Sequence, residues 1–356
     1  MALTRRTWLG LTAGAAFGNQ PARWRPVLAI DDPGYNIRLT GACAPGARHL
    51  LAAGDLTRLL DRSRQHLLFY SEDHGANWVR RKAPDRPLAV CALGSSHVWL
   101  LGERRLSFSS DEGREWRSLN RPRHAEGLHF VSSHRGYCFA GDRVFRTEDG
   151  GANWKTIPES VFEPKPQSLI WLLARFVDER RGWIAGASEL PAPEDARGPE
   201  GEELTRQQRR RLRQPALALL ETNDGGASWQ ASLAPAPGIL ADLLPDGDTL
   251  TAAFAGEEYS RFPGVIAARN AGDPVWRVLL REEGLHVHSL WRTAQGLLAA
   301  GGAGQRIRVQ LKPDQEPWRP VPVHYSAQSP VARFFAGPDG EPWLWLASGM
   351  ILAPVS

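Results

Sequence analysis

Three groups of residues carry types and spacings that could do chemistry. His286 and His288, in GLHVHSL, alternate on a predicted strand and share one of its faces. Two imidazoles can begin a metal site, but no third ligand stands near them, and core or channel histidines fit the same pattern. GEEYSR (256–261) sets Glu257 and Glu258 beside Tyr259, the residue types of a tyrosine nucleophile and its acidic partner in glycosyl transfer. Arg206, Arg209, Arg210, Arg211 and Arg213 crowd a predicted helix, and Arg104, Arg105 and Arg143 each stand just before a predicted third strand. Forked guanidinium groups recognise carboxylates and phosphates. Glu200, Glu202 and Glu203 lie close enough in sequence to make the same helix a self-neutralised, solvated one. Cys43, Cys91 and Cys138 show no CxxC spacing, which argues against zinc or redox chemistry. They read either as a Cys43–Cys91 bridge between inner strands of adjacent repeats or as three buried thiols. No G-x-S-x-G, H-E-x-x-H or Walker loop occurs, and neither cofactor nor metal is expected.

The elements that must position these residues announce themselves by repetition. SEDHGANW (71–78), SSDEGREW (109–116), TEDGGANW (147–154) and TNDGGASW (222–229) share Ser/Thr-x-Asp-x-Gly-x-x-Trp. Asp73, Asp111 and Asp149 stand 38 residues apart, a period that signals a propeller or a similar β array. In each octet the Asp carboxylate can accept backbone N–H groups of a tight turn, with the hydroxyl as a second anchor. Gly75, Gly113, Gly151 and Gly226 can supply the positive φ such a turn requires. Trp78, Trp116, Trp154 and Trp229 then open the next strand and offer a broad plate for packing between neighbouring sheets. The octet is a folding device. One Asp (73, 111, 149 or 224) per turn is far short of the six to eight oxygens that calcium needs.

Trp276 and Trp318 close two degenerate turns, and Trp24 has the same follow-on strand with no turn before it. From Trp318 to Ser356 is 38 residues, one period. Residues 327–356 therefore supply three strands of a last blade, and 23–30 supply the fourth, a clasp that removes the open ends. The interval Trp154–Trp229 is 75 residues but holds a single blade's strands plus a Pro-rich, charged insertion at about 190–214. The expectation is an all-β, seven-bladed β-propeller of four-stranded antiparallel blades, the last closed by the N-terminal strand. Eight blades is the alternative. All octets are third-to-fourth-strand turns and so share one face. The arginine-bearing loops belong to the other.

RFVDERRGWIAG (175–186) and HFVSSHRGYCFAGDRVFRTEDGGANW (129–154) resemble the repeat of the photosystem II assembly/stability-factor-like propellers, within the bacterial neuraminidase repeat, or Asp-box, class. Gly182-Trp183 and Gly136-Tyr137 match that repeat's Gly-Trp/Tyr step. The resemblance spans nearly the whole chain after residue 22. It implies a propeller and a non-enzymatic assembly factor that binds membrane-protein subunits, although one fold hosts many functions. Sialidases share the Asp box, so an exo-sialidase-like glycoside hydrolase is the alternative. The nearest match to their first-blade Phe/Tyr-Arg-Ile-Pro is YNIRLT, Tyr35 to Thr40, with Arg38 after Ile37 and no Pro. Glu257, Glu258 and Tyr259 are contiguous, whereas that chemistry draws its Glu and Tyr from separate blades.

The start, MALTRRTWLGLTAGAAFG, resembles a twin-arginine export signal through Thr4-Arg5-Arg6-Thr7-Trp8-Leu9, although Gly10 stands where a basic residue is usual. Residues 1–22 are read as that signal, 23–356 as one propeller domain, and the location as periplasmic. The apolar run is too short for a stable membrane span, and no lipobox Cys follows. A net charge of +4 without a basic arm argues against nucleic acid as a partner. The expected partner is a protein, a membrane-protein subunit or an acidic surface, bound by a monomer.

Overall fold

The computed structural model describes residues 2–3, 24–94, 96–158, 161, 166–193, 195–197, 201–255, 263–270, 273, 275–303, 306–323, 325 and 331–355. Its strands fall in chain order into seven sheets, each built around four antiparallel strands. The chain also divides into two compact units, Met1–Ser118 with Gln305–Ser356, and Leu119–Gly304.

The first unit opens with β1 (Ala2–Leu3) and β2 (Trp24–Ala29). Its first blade is β3 (Tyr35–Cys43), β4 (Leu50–Arg58), β5 (Arg64–Ser71) and β6 (Trp78–Lys82), with the short β1 added outside β6. The second is β7 (Pro87–Leu93), β8 (His97–Gly102), β9 (Leu106–Ser109) and β10 (Arg117–Leu119). In the second unit, the third blade is β11 (Gly127–Phe130), β12 (Gly136–Ala140), β13 (Arg143–Thr147) and β14 (Lys155–Thr156). The fourth is β15 (Gln167–Phe176), β16 (Gly182–Leu190), β17 (Gln214–Thr222) and β18 (Gln230–Pro235). Between β16 and β17 stands the helix α1 (Arg206–Arg211), so this interval is one blade with an insertion and the count is seven. The fifth blade is β19 (Ile239–Asp246), β20 (Thr249–Ala255), β21 (Gly264–Asn270) and β22 (Arg277–Glu282). The sixth is β23 (His286–Thr293), β24 (Gly296–Ala303), β25 (Arg306–Lys312) and β26 (Arg319–Val321). The seventh takes β27 (Ala332–Ala336), β28 (Pro342–Leu346) and β29 (Met350–Pro354) from the end of the chain and β2 from its beginning. The architecture is a seven-bladed β-propeller.

In WRPVLA, Trp24 and Leu28 are buried and Arg25 and Pro26 exposed, so β2 can pair along β29, with Trp24 opposite Pro354 and Ala29 opposite Met350. Second strands carry the core. LLAAG (50–54) and VWLLG (98–102) are apolar runs buried on both faces, with Leu50, Leu51, Val98, Trp99, Leu100 and Leu101 at 0% exposure. Burying one such leucine contributes roughly 1.5–3 kcal/mol. First strands lie side by side: β3 against β7, and β11, β15, β19 and β23 in succession.

Trp24 and Trp78 are 4% exposed, and Trp116, Trp154, Trp229, Trp276 and Trp318 are half-buried. One expectation is corrected. Cys43, Cys91 and Cys138 are all free thiols, and Cys91 is only half-buried. The apolar cluster holding Cys43 receives Val90 and Ala92 from β7, so the pleat turns Cys91 to the opposite face, away from a bridge. Burial pushes the Cys43 and Cys138 thiols far up, which keeps them protonated. Among the described residues no helix is long and apolar enough to cross a membrane. The signal segment read at 1–22 lies outside the described residues except for Ala2–Leu3.

Candidate functional site

The four octets build the same turn. In the first, Ser71 Oγ donates to Asp73 Oδ1 and accepts the N–H groups of Asp73 and Gly75. Asp73 Oδ1 accepts Asn77 N–H at 2.8 Å and Oδ2 accepts Asn77 Nδ2 at 2.6 Å. Ser109 and Asp111 repeat this with Gly113, Arg114 and Glu115, Thr147 and Asp149 with Gly151 and Asn153, and Thr222 and Asp224 with Gly226 and Ser228. Gly75, Gly113, Gly151 and Gly226 have φ between 80° and 97°. The residue before each is also left-handed. It is Gly150 or Gly225 in two turns but His74 and Glu112 in the others, where a side chain adds strain. Burial pulls the Asp73 and Asp111 carboxyls up, but the N–H groups of Asn77 and Glu115 outweigh it and hold both below the ordinary range. The Asn153 N–H does the same for Asp149, and the Ser228 hydroxyl and N–H for Asp224. Two of the indoles tie one blade to the one before it. Trp78 Nε1 donates to Val27 O of β2 and to Gly75 O, and Trp154 Nε1 donates to Asn120 O and Gly151 O. In the fourth turn Arg146 Nη1 takes the Gly226 carbonyl at 2.6 Å, and Trp229 Nε1 is buried without a partner.

Sequence reasoning missed three buried carboxylates. Asp85, 4% exposed, accepts the N–H groups of Arg86, Arg104 and Arg105 and so pins the β8–β9 hairpin. Burial would raise its carboxyl, and those backbone donors hold it below the usual range. Asp55 bonds His66 Nδ1 at 2.7 Å and faces Arg86 Nε at 3.4 Å. Asp242, 2% exposed on β19, accepts Arg175 Nη2 of β15 at 2.5 Å, with Ser289 Oγ and the Leu290 N–H of β23, stitching three inner strands. Beside Arg175, His129 stacks on Phe176, and burial reinforced by the Arg175 charge pushes its pKa down to about 3, leaving it neutral. Alternation could have flagged Asp55 and Asp242, as polar side chains at inward strand positions, but not Asp85, which lies in the loop between β6 and β7.

The predicted arginines do not gather in a single unit. Arg104 and Arg105 sit on the β8–β9 turn of the first unit, and the Arg104 side chain is 78% exposed. Arg143 opens β13, exposed, in the second unit. Arg206 is exposed and Arg209 half-buried on α1, and Arg210 and Arg211 complete that helix. Thr205 and Gln208 cap it reciprocally: Gln208 N–H donates to Thr205 Oγ1, and Thr205 N–H donates to Gln208 Oε1. Arg213 is committed within the fold, to Glu189 at 3.0 Å, and Ser168 Oγ donates to the same carboxylate. Glu257, Glu258 and Tyr259 lie outside the described residues. His286 and His288 are half-buried on β23, and among the described residues no three His, Cys, Asp or Glu side chains gather as a metal site.

The YNIRLT stretch reaches a cavity. Leu39 N–H bonds Ala347 O, Ile30 N–H bonds Gly349 O, and Ala347 N–H bonds Val331 O, which lays β3 along the β28–β29 turn. Gly349, at φ 96°, permits the approach, since a Cβ there would stand 2.7 Å from Ile37 Cγ2. The result is an open groove of 770 Å³, walled by Ile30, Ile37, Leu88, Val331 and Trp345. Asp31, Asp32, Asn36, Arg38, Arg333 and Ser348 also line it. Asp32 is bound to Arg80 at 2.6 Å.

No family model matches the sequence. A photosystem II assembly lipoprotein, Ycf48, from Synechococcus sp. (strain CC9902) is 25% identical over 214 residues, 54% of this chain and 61% of that protein. The chain thus matches about three fifths of that relative's length. The structure of YCF48 from Cyanidioschyzon merolae superposes with a TM-score of 0.59 at 14% identity, covering 93% of this chain and 98% of that one. A GH74 enzyme from Niastella koreensis superposes at 0.55 with 10% identity, over 93% of this chain and 53% of its own. At such identities these superpositions speak for the fold alone.

Proposed function

We propose that this Ycf48-like β-propeller is a non-catalytic binding module that assists assembly of a membrane-protein complex. The observation that carries the reading is the 25% identity to an assembly protein across 214 residues. The chemistry of the repeats supports it, because each octet carboxylate is engaged by its own turn and is left with no reacting group to serve. In this reading residues 1–22 direct twin-arginine export, and the mature chain works in the periplasm as a monomer. The contact surface uses Arg206, Arg209, Arg210 and Arg211 of the insertion, with Arg143 of the same unit. Guanidinium groups suit an acidic loop of a membrane-protein subunit. Pull-down from periplasmic and membrane fractions, with the full protein and with 190–214 replaced by a short Gly-Ser link, tests it. The reading expects specific partners that vanish with the insertion, and an unchanged set removes the insertion from it. A fluorogenic sialoside should not turn over. Turnover that disappears in Tyr259→Phe overturns the non-catalytic reading.

A further inference from the structure

We propose that the groove between β3 and the β28–β29 turn binds a small ligand carrying one carboxylate together with hydrogen-bond donors of its own. Its volume, 770 Å³, lies within the roughly 300–1,000 Å³ of ligand pockets. The lining mixes apolar and polar groups, and several of the polar ones have no partner among the described residues. Arg38 is exposed on β3, and among the described residues its guanidinium has neither ion pair nor hydrogen bond. The half-buried Ser348 hydroxyl, the Asn36 amide and the indole N–H of Trp345, a residue 9% exposed, are likewise without partners. In the same unit Asp85 is tied down by three N–H groups and Trp78 Nε1 by two carbonyls, while the buried indole N–H groups of Trp24 and Trp343 lack hydrogen-bond partners away from the groove. Four donors lining one cavity suit an anion, and the planar guanidinium fork matches a carboxylate.

The two aspartates narrow the class. Asp32 is neutralised by Arg80, but Asp31 is exposed with no partner. A free carboxylate in the same groove repels a dianion and calls for donors on the ligand, hydroxyl or amide N–H. A phosphate monoester is therefore disfavoured. An acidic sugar and the C-terminal end of a peptide both present the required chemistry.

Isothermal titration of the full chain can separate these sources. The probes are N-acetylneuraminic acid and its methyl ester, N-acetyl-Ala-Phe and its amide, and inorganic phosphate. The proposal expects at least one of the two acids to bind, with its neutral counterpart at least about tenfold weaker and phosphate weaker too. Which acid binds names the source. Arg38→Gln should cause a similar loss while leaving the melting temperature unchanged, and Arg38→Lys should fall between. Failure of both acids to bind, equal binding of acid and neutral form, phosphate binding as tight as either acid, or indifference to Arg38→Gln overturns it.

Discussion

The Asp-box turns and the β3 groove use the same residue types to opposite ends. At the turns, serine or threonine, aspartate and tryptophan saturate one another: Asp149 accepts Thr147 Oγ1, the Asn153 N–H and Asn153 Nδ2, and Trp154 donates twice. At the groove, Asp31, Arg38, Ser348 and Trp345 have no such partners. A polar group satisfied inside the fold holds the fold. One left free in a cavity is available to something else.

The comparison can be broken at either side, and the largest effects lie at the turns. Trp78→Ala removes a buried indole and its bonds to Val27 and Gly75, the link between first and last blades, and should cost about 3–5 kcal/mol in chemical denaturation. Asp149→Ala leaves the Asn153 N–H and the Thr147 hydroxyl without their acceptor and should cost roughly 1–3 kcal/mol by the same measurement. The octet carboxyls, with Asp85 and Asp178, have folded pKa values below their unfolded ones. Their contribution is present above the unfolded value near pH ~4 and fades as pH falls through the folded values. Thermal scans should therefore lose melting temperature steeply below about pH 4 and show no loss from these groups between about pH 5 and 7. His74→Gly, at φ 56° with an exposed side chain, should gain a few tenths of a kcal/mol or more, up to about 1. Smallest of all, Arg38→Gln should change stability by no more than about 0.5 kcal/mol.

How much could be read in advance follows the same division. Local, repeated chemistry was legible: the turns, their positive-φ glycines, the indoles that count blades, and the β2 clasp, announced by Trp24 with a follow-on strand and no turn before it. The insertion was legible because Pro-rich and charged sequence interrupts a fixed period. What depends on residues distant in sequence was hidden. The groove joins Ile30–Thr40 to Val331–Met350, and nothing local marks Ser348 or Trp345 as its lining. Arg175, Asp242 and Ser289 meet across three blades, and Asp85 looks like any loop aspartate until the Arg104 and Arg105 N–H groups close on it. The cysteine pairing failed because nearness of strands says nothing about which face of β7 carries Cys91.

A crossed experiment with Asp149→Asn and Arg38→Gln tests the division most directly, each protein followed by thermal unfolding and by titration with the acid that the wild type binds. The account predicts a lowered melting temperature with unchanged binding for Asp149→Asn, and an unchanged melting temperature with at least about tenfold weaker binding for Arg38→Gln. An Arg38→Gln protein that melts early, or an Asp149→Asn protein as stable as the wild type, would contradict it.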